Sequence, residues 1–267
     1  MSYDLLSASN IKRFSNDGDN LVVDLTIVIP CLNEEENIVQ ILDHVSEAVS
    51  GHDFTFEIIV VDDQSDDKTL KYANEWASKN KDKIRTSVIT RPLRRRGYGA
   101  VVRWGVSFGI GRYCIFVSAD DVDPLDLIPK LYNKMEEGAV LAQCSRYLTS
   151  GDDSTIPFKY KFFQFFFRIA VRISLGKRIA DSTYAFKMFR RSEMLAIGLN
   201  QNRFSISPEL TFKAILLGGH DGIKYIAGAQ GVRTRGVSKF IFYKEGLGFG
   251  YCLLRAFLHR FNIIYWF

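Results

Sequence analysis

Apolar and polar positions fall into two alternating periods along the first 150 residues of this 267-residue chain. Leu25-Thr26-Ile27-Val28-Ile29 is a short apolar run closed by Pro30, which predicts a buried strand. Residues 34–49 then place Ile38, Ile41, Leu42, Val45 and Val49 on one helical face, with acids in the first turn and Asn33 positioned as an N-cap. The alternation continues with strands over 57–61, 86–90, 113–117 and 139–145, and with helices over 68–79 and 99–109. Strands and helices alternating at this spacing predict an α/β fold, a mostly parallel, right-handed sheet flanked by helices. Beyond residue 150 the pattern changes. Residues 158–175 are aromatic, basic and helical in period, and 241–267 form a second apolar, aromatic stretch expected to be a helical tail. The polar residues 1–20 read as a flexible lead rather than a signal peptide, leaving 21–240 as the main domain.

Composition narrows the function classes. Apolar content of 47% and charged content of 24% are those of a globular chain long enough to bury its own core. Cys31, Cys114, Cys144 and Cys252 are widely spaced, with no CxxC pair, and read as buried, reduced thiols. With no Asn-x-Ser/Thr acceptor present, a cytoplasmic chain is expected. The net charge of +5 is unevenly placed: 85–112 holds seven arginines and no acid, and 156–179 holds six basic residues and no acid. Acids gather between Asn33 and Asp67 and around Asp120. Such separation fits an anionic partner that meets both basic groups and a metal, such as a nucleotide, a phosphate or an anionic lipid surface.

Three loops carry candidate chemistry. Ser118-Ala119-Asp120-Asp121-Val122-Asp123 crowds carboxylates just past an apolar strand, at the sheet edge where open α/β folds bind ligands. Such acids repel one another unless a hard cation such as Mg2+ or Mn2+ offsets them, although an acidic loop capping the next helix would look the same. Val61-Asp62-Asp63-Gln64-Ser65-Asp66-Asp67 puts two adjacent carboxylates at another strand end, suited to a base N–H and ribose hydroxyls. Arg94-Arg95-Arg96-Gly97-Tyr98-Gly99-Ala100 sets cations and exposed N–H groups at a helix start, which favours phosphate. The neighbouring acids oppose a nucleic acid.

Taken in order, these motifs resemble those of the family 2 glycosyltransferases of GT-A fold. Ile29-Pro30-Cys31-Leu32-Asn33-Glu34, Val61-Asp62-Asp63-Gln64-Ser65-Asp66-Asp67-Lys68-Thr69, Gly97-Tyr98-Gly99-Ala100 and Ser118-Ala119-Asp120 follow its pattern at fitting intervals. Cys144-Ser145-Arg146-Tyr147, Asp181-Ser182-Thr183-Tyr184-Ala185-Phe186-Lys187, Ser207-Pro208-Glu209-Leu210 and Arg235-Gly236-Val237-Ser238-Lys239 are similar to elements of the dolichyl- and polyprenyl-phosphate sugar transferases. The resemblance implies that Pro30, Asn33, Glu34, Asp62, Asp63 and Gly97 bind the nucleotide, while Asp120 holds metal and diphosphate, with Asp123 as a helper. It implies a loop carrying Arg235, Ser238 and Lys239 that clamps the diphosphate. One departure stands out. Where many relatives have Asp-Ala-Asp this chain has Ser118, a weaker ligand than a carboxylate.

The implied reaction is inverting transfer of a hexose from a GDP-mannose- or UDP-glucose-type donor to a polyprenyl phosphate, assisted by Mg2+ or Mn2+. A phosphate acceptor needs no base, whereas for a hydroxyl acceptor Glu209 or Asp181 is the candidate. A hydroxyl-acceptor transferase and an inactive, membrane-docking relative are the alternatives. A sugar nucleotidyltransferase would want a Gly-rich loop where Cys31-Leu32-Asn33-Glu34 stands. No stretch reaches the ~18–20 apolar residues of a spanning helix, so the aromatic, basic segment 158–175 suits a peripheral position on the cytosolic membrane face, alone or with a membrane-protein partner.

Overall fold

The apolar runs of the first half of the chain become strands, and the apolar stripe Ile38, Ile41, Leu42, Val45 and Val49 turns inward. The computed structural model describes residues 11–14, 23–92, 97–176, 178–218, 222–236, 240 and 242–266. In chain order the elements are β1 Ile11–Phe14, β2 Leu25–Cys31, α1 Ile38–Val49, β3 Phe56–Asp62, α2 Thr69–Asn80, β4 Arg85–Thr90, α3 Tyr98–Phe108 and β5 Tyr113–Phe116. A 3-10 turn at Leu125–Leu127 leads into α4 Ile128–Glu136, followed by β6 Leu141–Ser145, α5 Phe158–Leu175, β7 Lys187–Arg190 and α6 Arg191–Ile197. The chain continues through α7 Ile206–Gly218, β8 Ile223–Ala227 and α8 Phe242–Arg260.

Eight strands form one sheet in the order β1-β4-β3-β2-β5-β7-β6-β8. The central strands β4, β3, β2 and β5 are parallel, as the alternation predicts. Their two faces feed two cores. Leu25, Ile27, Ile29, Ile58 and Val60 point to the side covered by α1, α2 and α4, whereas Val28, Ile59 and Val61 point to the side of α3. Period-two side chains buried on both faces explain why these strands are near-continuous apolar runs.

The sequence reading is corrected in three places. Residues 139–145 do not simply extend the parallel series, because β7 enters antiparallel between β5 and β6. Ile11–Phe14 falls within the stretch expected to be a flexible lead, yet it pairs antiparallel with β4. Helix α1 starts at Ile38 rather than at residue 34, since Glu34 to Asn37 forms a turn in which the Asn37 N–H donates to the Glu34 carbonyl at 3.0 Å. The stretch 241–267, expected to be a helical tail, carries α8. This helix packs on α5 through Phe249, 5.9 Å from Phe167 between ring centroids, and Trp266 is buried. All four cysteines are free and buried, as expected.

Candidate functional site

The carboxyl ends of β2, β3 and β5 open onto a cavity of about 750 Å³. The loops after these strands each contain a non-glycine residue in the left-handed region: Asn33 at φ 53°, Gln64 at φ 63° and Asp121 at φ 57°. Such strain persists only where surrounding bonds enforce it. The first two loops are laced together. Asp66 N–H donates to Asn33 Oδ1 at 2.8 Å, Asn33 N–H to Ser65 Oγ at 2.9 Å, and Glu34 N–H to Thr69 Oγ1 at 2.8 Å. Asn33 is therefore neither the cap of α1 nor a wall of the cavity; it ties two loops together. Asp62 turns its carboxylate back into its own loop, accepting from Gln64 N–H at 3.1 Å and Ser65 N–H at 3.2 Å. Burial, only partly offset by these bonds, raises its pKa.

Pro30, Glu34, Asp63, Gly97 and Asp120 line the cavity. What the sequence did not disclose is the cation held by each acid. The buried Arg91 donates to Asp63 Oδ1 from Nε at 2.8 Å and from Nη2 at 2.6 Å. Arg233 reaches back from the loop after β8, giving Nη2 to Glu34 at 2.9 and 3.0 Å and Nη1 to Asp120 Oδ2 at 3.1 Å. Arg203 holds Glu245, the fourth cavity carboxylate, at 2.7 Å. Burial raises the pKa of Asp120 against the opposing charge of Arg233.

Arg233, not Arg235, thus meets the site's acids. Arg235 donates instead to the Glu36 carbonyl at 3.0 Å, outside the cavity. Ser238, Lys239 and Arg94 to Arg96 lie outside the described residues.

Asp123 also differs from its expected place. Its carboxylate accepts from Ser118 N–H at 2.7 Å and from the Tyr184 hydroxyl at 2.8 Å, so both oxygens secure the Asp120 loop from behind. Burial pushes its pKa up to about 6 despite those bonds. Of the two residues expected to meet a metal, Asp120 alone keeps a carboxylate oxygen uncommitted. Its Oδ1 is buried without a partner, which fits one ligand oxygen for a hard cation, the remaining ligands coming from donor phosphate and water. Among the described residues no cluster of three or more His, Cys, Asp or Glu gathers to hold a metal unaided.

Neither candidate base faces the cavity. Glu209 accepts from Asn200 N–H at 3.0 Å and Gln201 N–H at 2.9 Å and pairs with the fully buried Lys213 at 3.1 Å. It secures the 200–203 loop, whose carbonyls press against α3. A Cβ on Gly97, at φ 151°, would collide with the Asn202 carbonyl, and one on Gly99 with that of Gln201. The Gly-x-Gly spacing therefore serves backbone packing as well as any ligand. Asp181 is gripped by Arg146, with Nε 2.7 Å and Nη2 3.2 Å from its oxygens. Burial would raise its pKa, but the Arg146 charge prevails and holds it low. Glu209→Gln is expected to lower the melting temperature by several degrees, because the buried Lys213 loses its counter-charge. The shape of the pH–rate profile should not change. Loss of the acidic limb of that profile in the variant would restore Glu209 as a base.

Comparison with known proteins follows from this geometry. The model of the family "Glycosyl transferase family 2" matches residues 26–195, more than half of the chain. The chain belongs to that family. Its relatives include the dolichol-phosphate mannosyltransferase of Pyrococcus furiosus, 30% identical over 217 residues that make up 80% of this chain and 58% of the relative. The dolichyl-phosphate beta-glucosyltransferase of Mus musculus is 29% identical, covering 73% of this chain and 64% of the relative. The chain thus spans under two thirds of the length of these relatives. A solved glucosyl-3-phosphoglycerate synthase from Mycobacterium tuberculosis, in complex with Mn2+, UDP and its product, superposes with a TM-score of 0.63 at 22% identity. That match covers 89% of this chain and 80% of the other, and it bears out the GT-A architecture.

Proposed function

We propose that this chain transfers a hexose from a nucleoside-diphosphate sugar to a polyprenyl phosphate, with inversion, at a membrane surface. The observation that carries the acceptor class is the pairing of the cavity's acids. Glu34 and Asp120 hold Arg233, Asp63 holds Arg91 and Glu245 holds Arg203, so each acid lining the cavity is tied to a guanidinium. The only one with an unpartnered oxygen, Asp120, stands at the metal station. A hydroxyl acceptor requires a free carboxylate base; a phosphate, with a second pKa near ~6, attacks as it stands. The relatives named for dolichol-phosphate products support the same choice.

In this scheme a phosphate oxygen of the acceptor forms a bond to the anomeric carbon as the bond to the donor's diphosphate breaks. Negative charge grows on the leaving diphosphate, and stabilising it there is the main catalytic task. Mg2+ or Mn2+ held by Asp120 would supply Lewis-acid stabilisation of that charge. Arg233 sets a guanidinium beside Asp120 on the loop after β8, and while it stays paired with Glu34 its charge adds to the stabilisation of the diphosphate. Asp63, fixed by Arg91, faces the nucleoside end.

The lipid side is supported by α5 and α8. Phe158, Phe162, Phe165, Phe166, Ile169 and Ile173 form an exposed apolar stripe at helical spacing on α5. Tyr243, Leu247, Tyr251 and Leu254 form another on α8. No helix among the described residues is long and apolar enough to cross a membrane, which leaves these stripes to lie along its surface. A thermal-shift screen of nucleotide sugars with Mn2+ tests the donor half of the proposal. Stabilisation by GDP-mannose or UDP-glucose is expected, and no response to any nucleotide sugar would refute it.

A further inference from the structure

Tyr98 carries a hydroxyl with nothing to bond. The residue lines the cavity together with Ser118 and Asp120, yet its oxygen is buried and has no hydrogen-bond partner. The ring is held firmly. It stacks on Phe204 with centroids 4.8 Å apart and planes at 12°, and the flanking Gly97 and Gly99 abut the carbonyls of Asn202 and Gln201. A buried, unpartnered hydroxyl is destabilising, so one fixed in a binding cavity points to a ligand that completes it.

The surroundings narrow the ligand's chemistry. The phenol feels the charges of both Asp123 and Asp120; together with burial, the larger effect, they raise its pKa and keep it a neutral donor. Asp120 Oδ1, also buried in this cavity without a partner, is kept for the metal, which leaves the phenol to a part of the donor away from the metal-bound diphosphate. A sugar hydroxyl can accept from the phenol and still donate elsewhere, whereas a diphosphate oxygen is drawn to the cation and to Arg233. Val101, Phe163 and Phe249 add apolar wall that suits the C–H face of a pyranose.

We infer that Tyr98 is a sugar-recognising residue, its phenol hydrogen-bonding a hydroxyl of the hexose to be transferred; this rests on the nucleotide-sugar reading of the cavity. Tyr98→Phe removes only the oxygen. With Mn2+ present, calorimetric titration of the variant with UDP and UDP-glucose, and with GDP and GDP-mannose, separates the contacts. The diphosphate alone should bind as in the wild type, while the matching nucleotide sugar weakens about tenfold. The melting temperature should stay level or rise by about a degree, since the lost atom bonded nothing in the fold. Equal weakening for diphosphate and sugar nucleotide, or no weakening of either, would overturn the assignment, as would a melting temperature several degrees lower. If the wild-type protein binds none of the four, the donor reading itself fails and takes this inference with it.

Discussion

Asp120→Asn should cut kcat/KM for sugar transfer by about a thousandfold while leaving the fold intact. The asparagine keeps the shape and the hydrogen bond to Arg233, so what disappears is the negative charge shared with Oδ1, the unpartnered oxygen that we propose for the metal. Ser118, in the place of a second family carboxylate, cannot take over, because its hydroxyl carries no charge. Removing the charge should not destabilise the protein near neutral pH. Burial raises the Asp120 pKa in the folded state, so its ionisation opposes folding above the unfolded value, and the amide escapes that cost. Turnover numbers, Mn2+ titration and a melting curve on one preparation check all three statements. Full turnover by the variant would remove Asp120 from the reaction.

Arg146→Met should have the largest effect on stability, about 3–5 kcal/mol, or a melting temperature lower by roughly 10 °C. Asp181 is fully buried, and Arg146 supplies its only ion pair among the described residues, with a guanidinium 4.5 Å above the Tyr184 ring. The pH dependence gives the sign. In the wild type the Asp181 pKa is lowered, so its contribution is complete above the unfolded value and is lost as pH falls through the folded one. Without Arg146 the buried carboxyl prefers its proton, and the variant should instead gain stability as pH drops from 7 toward 4. Arg146→Met with Asp181→Asn should recover much of the loss. Thermal melts of the three proteins across that pH range decide the matter, and parallel pH curves for wild type and single variant would contradict the buried-pair reading.

How much could be read in advance depended on range along the chain. Strands β2, β3 and β5 were plain because both of their faces are buried, which makes each an uninterrupted apolar run. Strand β7 was hidden by Lys187, a fully buried lysine that donates to the Ser182 and Ser207 carbonyls and to Thr211. Its pKa is lowered by burial to about 7, but in the sequence it looks like any surface residue. Glu209 and Lys213 disguised α7 in the same way, as a buried i,i+4 pair that resembles a solvated face. At the site, the acids that follow strands were legible because strand and acid are adjacent in sequence. Their cations were not. Arg91 joins Asp63 across 28 residues and Arg233 joins Glu34 across 199, distances at which only the folded topology makes partners. Without those partners Glu209 and Asp181 looked like free bases, and Asp123 like a spare metal ligand.

The central assignment, hexose transfer to a lipid phosphate, is tested most directly by incubating the purified protein with vesicles containing a short polyprenyl phosphate, Mn2+ and labelled GDP-mannose or UDP-glucose. Label should appear in the organic phase as a polyprenyl-phosphate sugar, with Asp120→Asn abolishing it. If the protein binds and turns over either donor yet never labels the lipid phosphate, and labels a hydroxyl acceptor instead, the acceptor assignment drawn from the paired carboxylates is wrong.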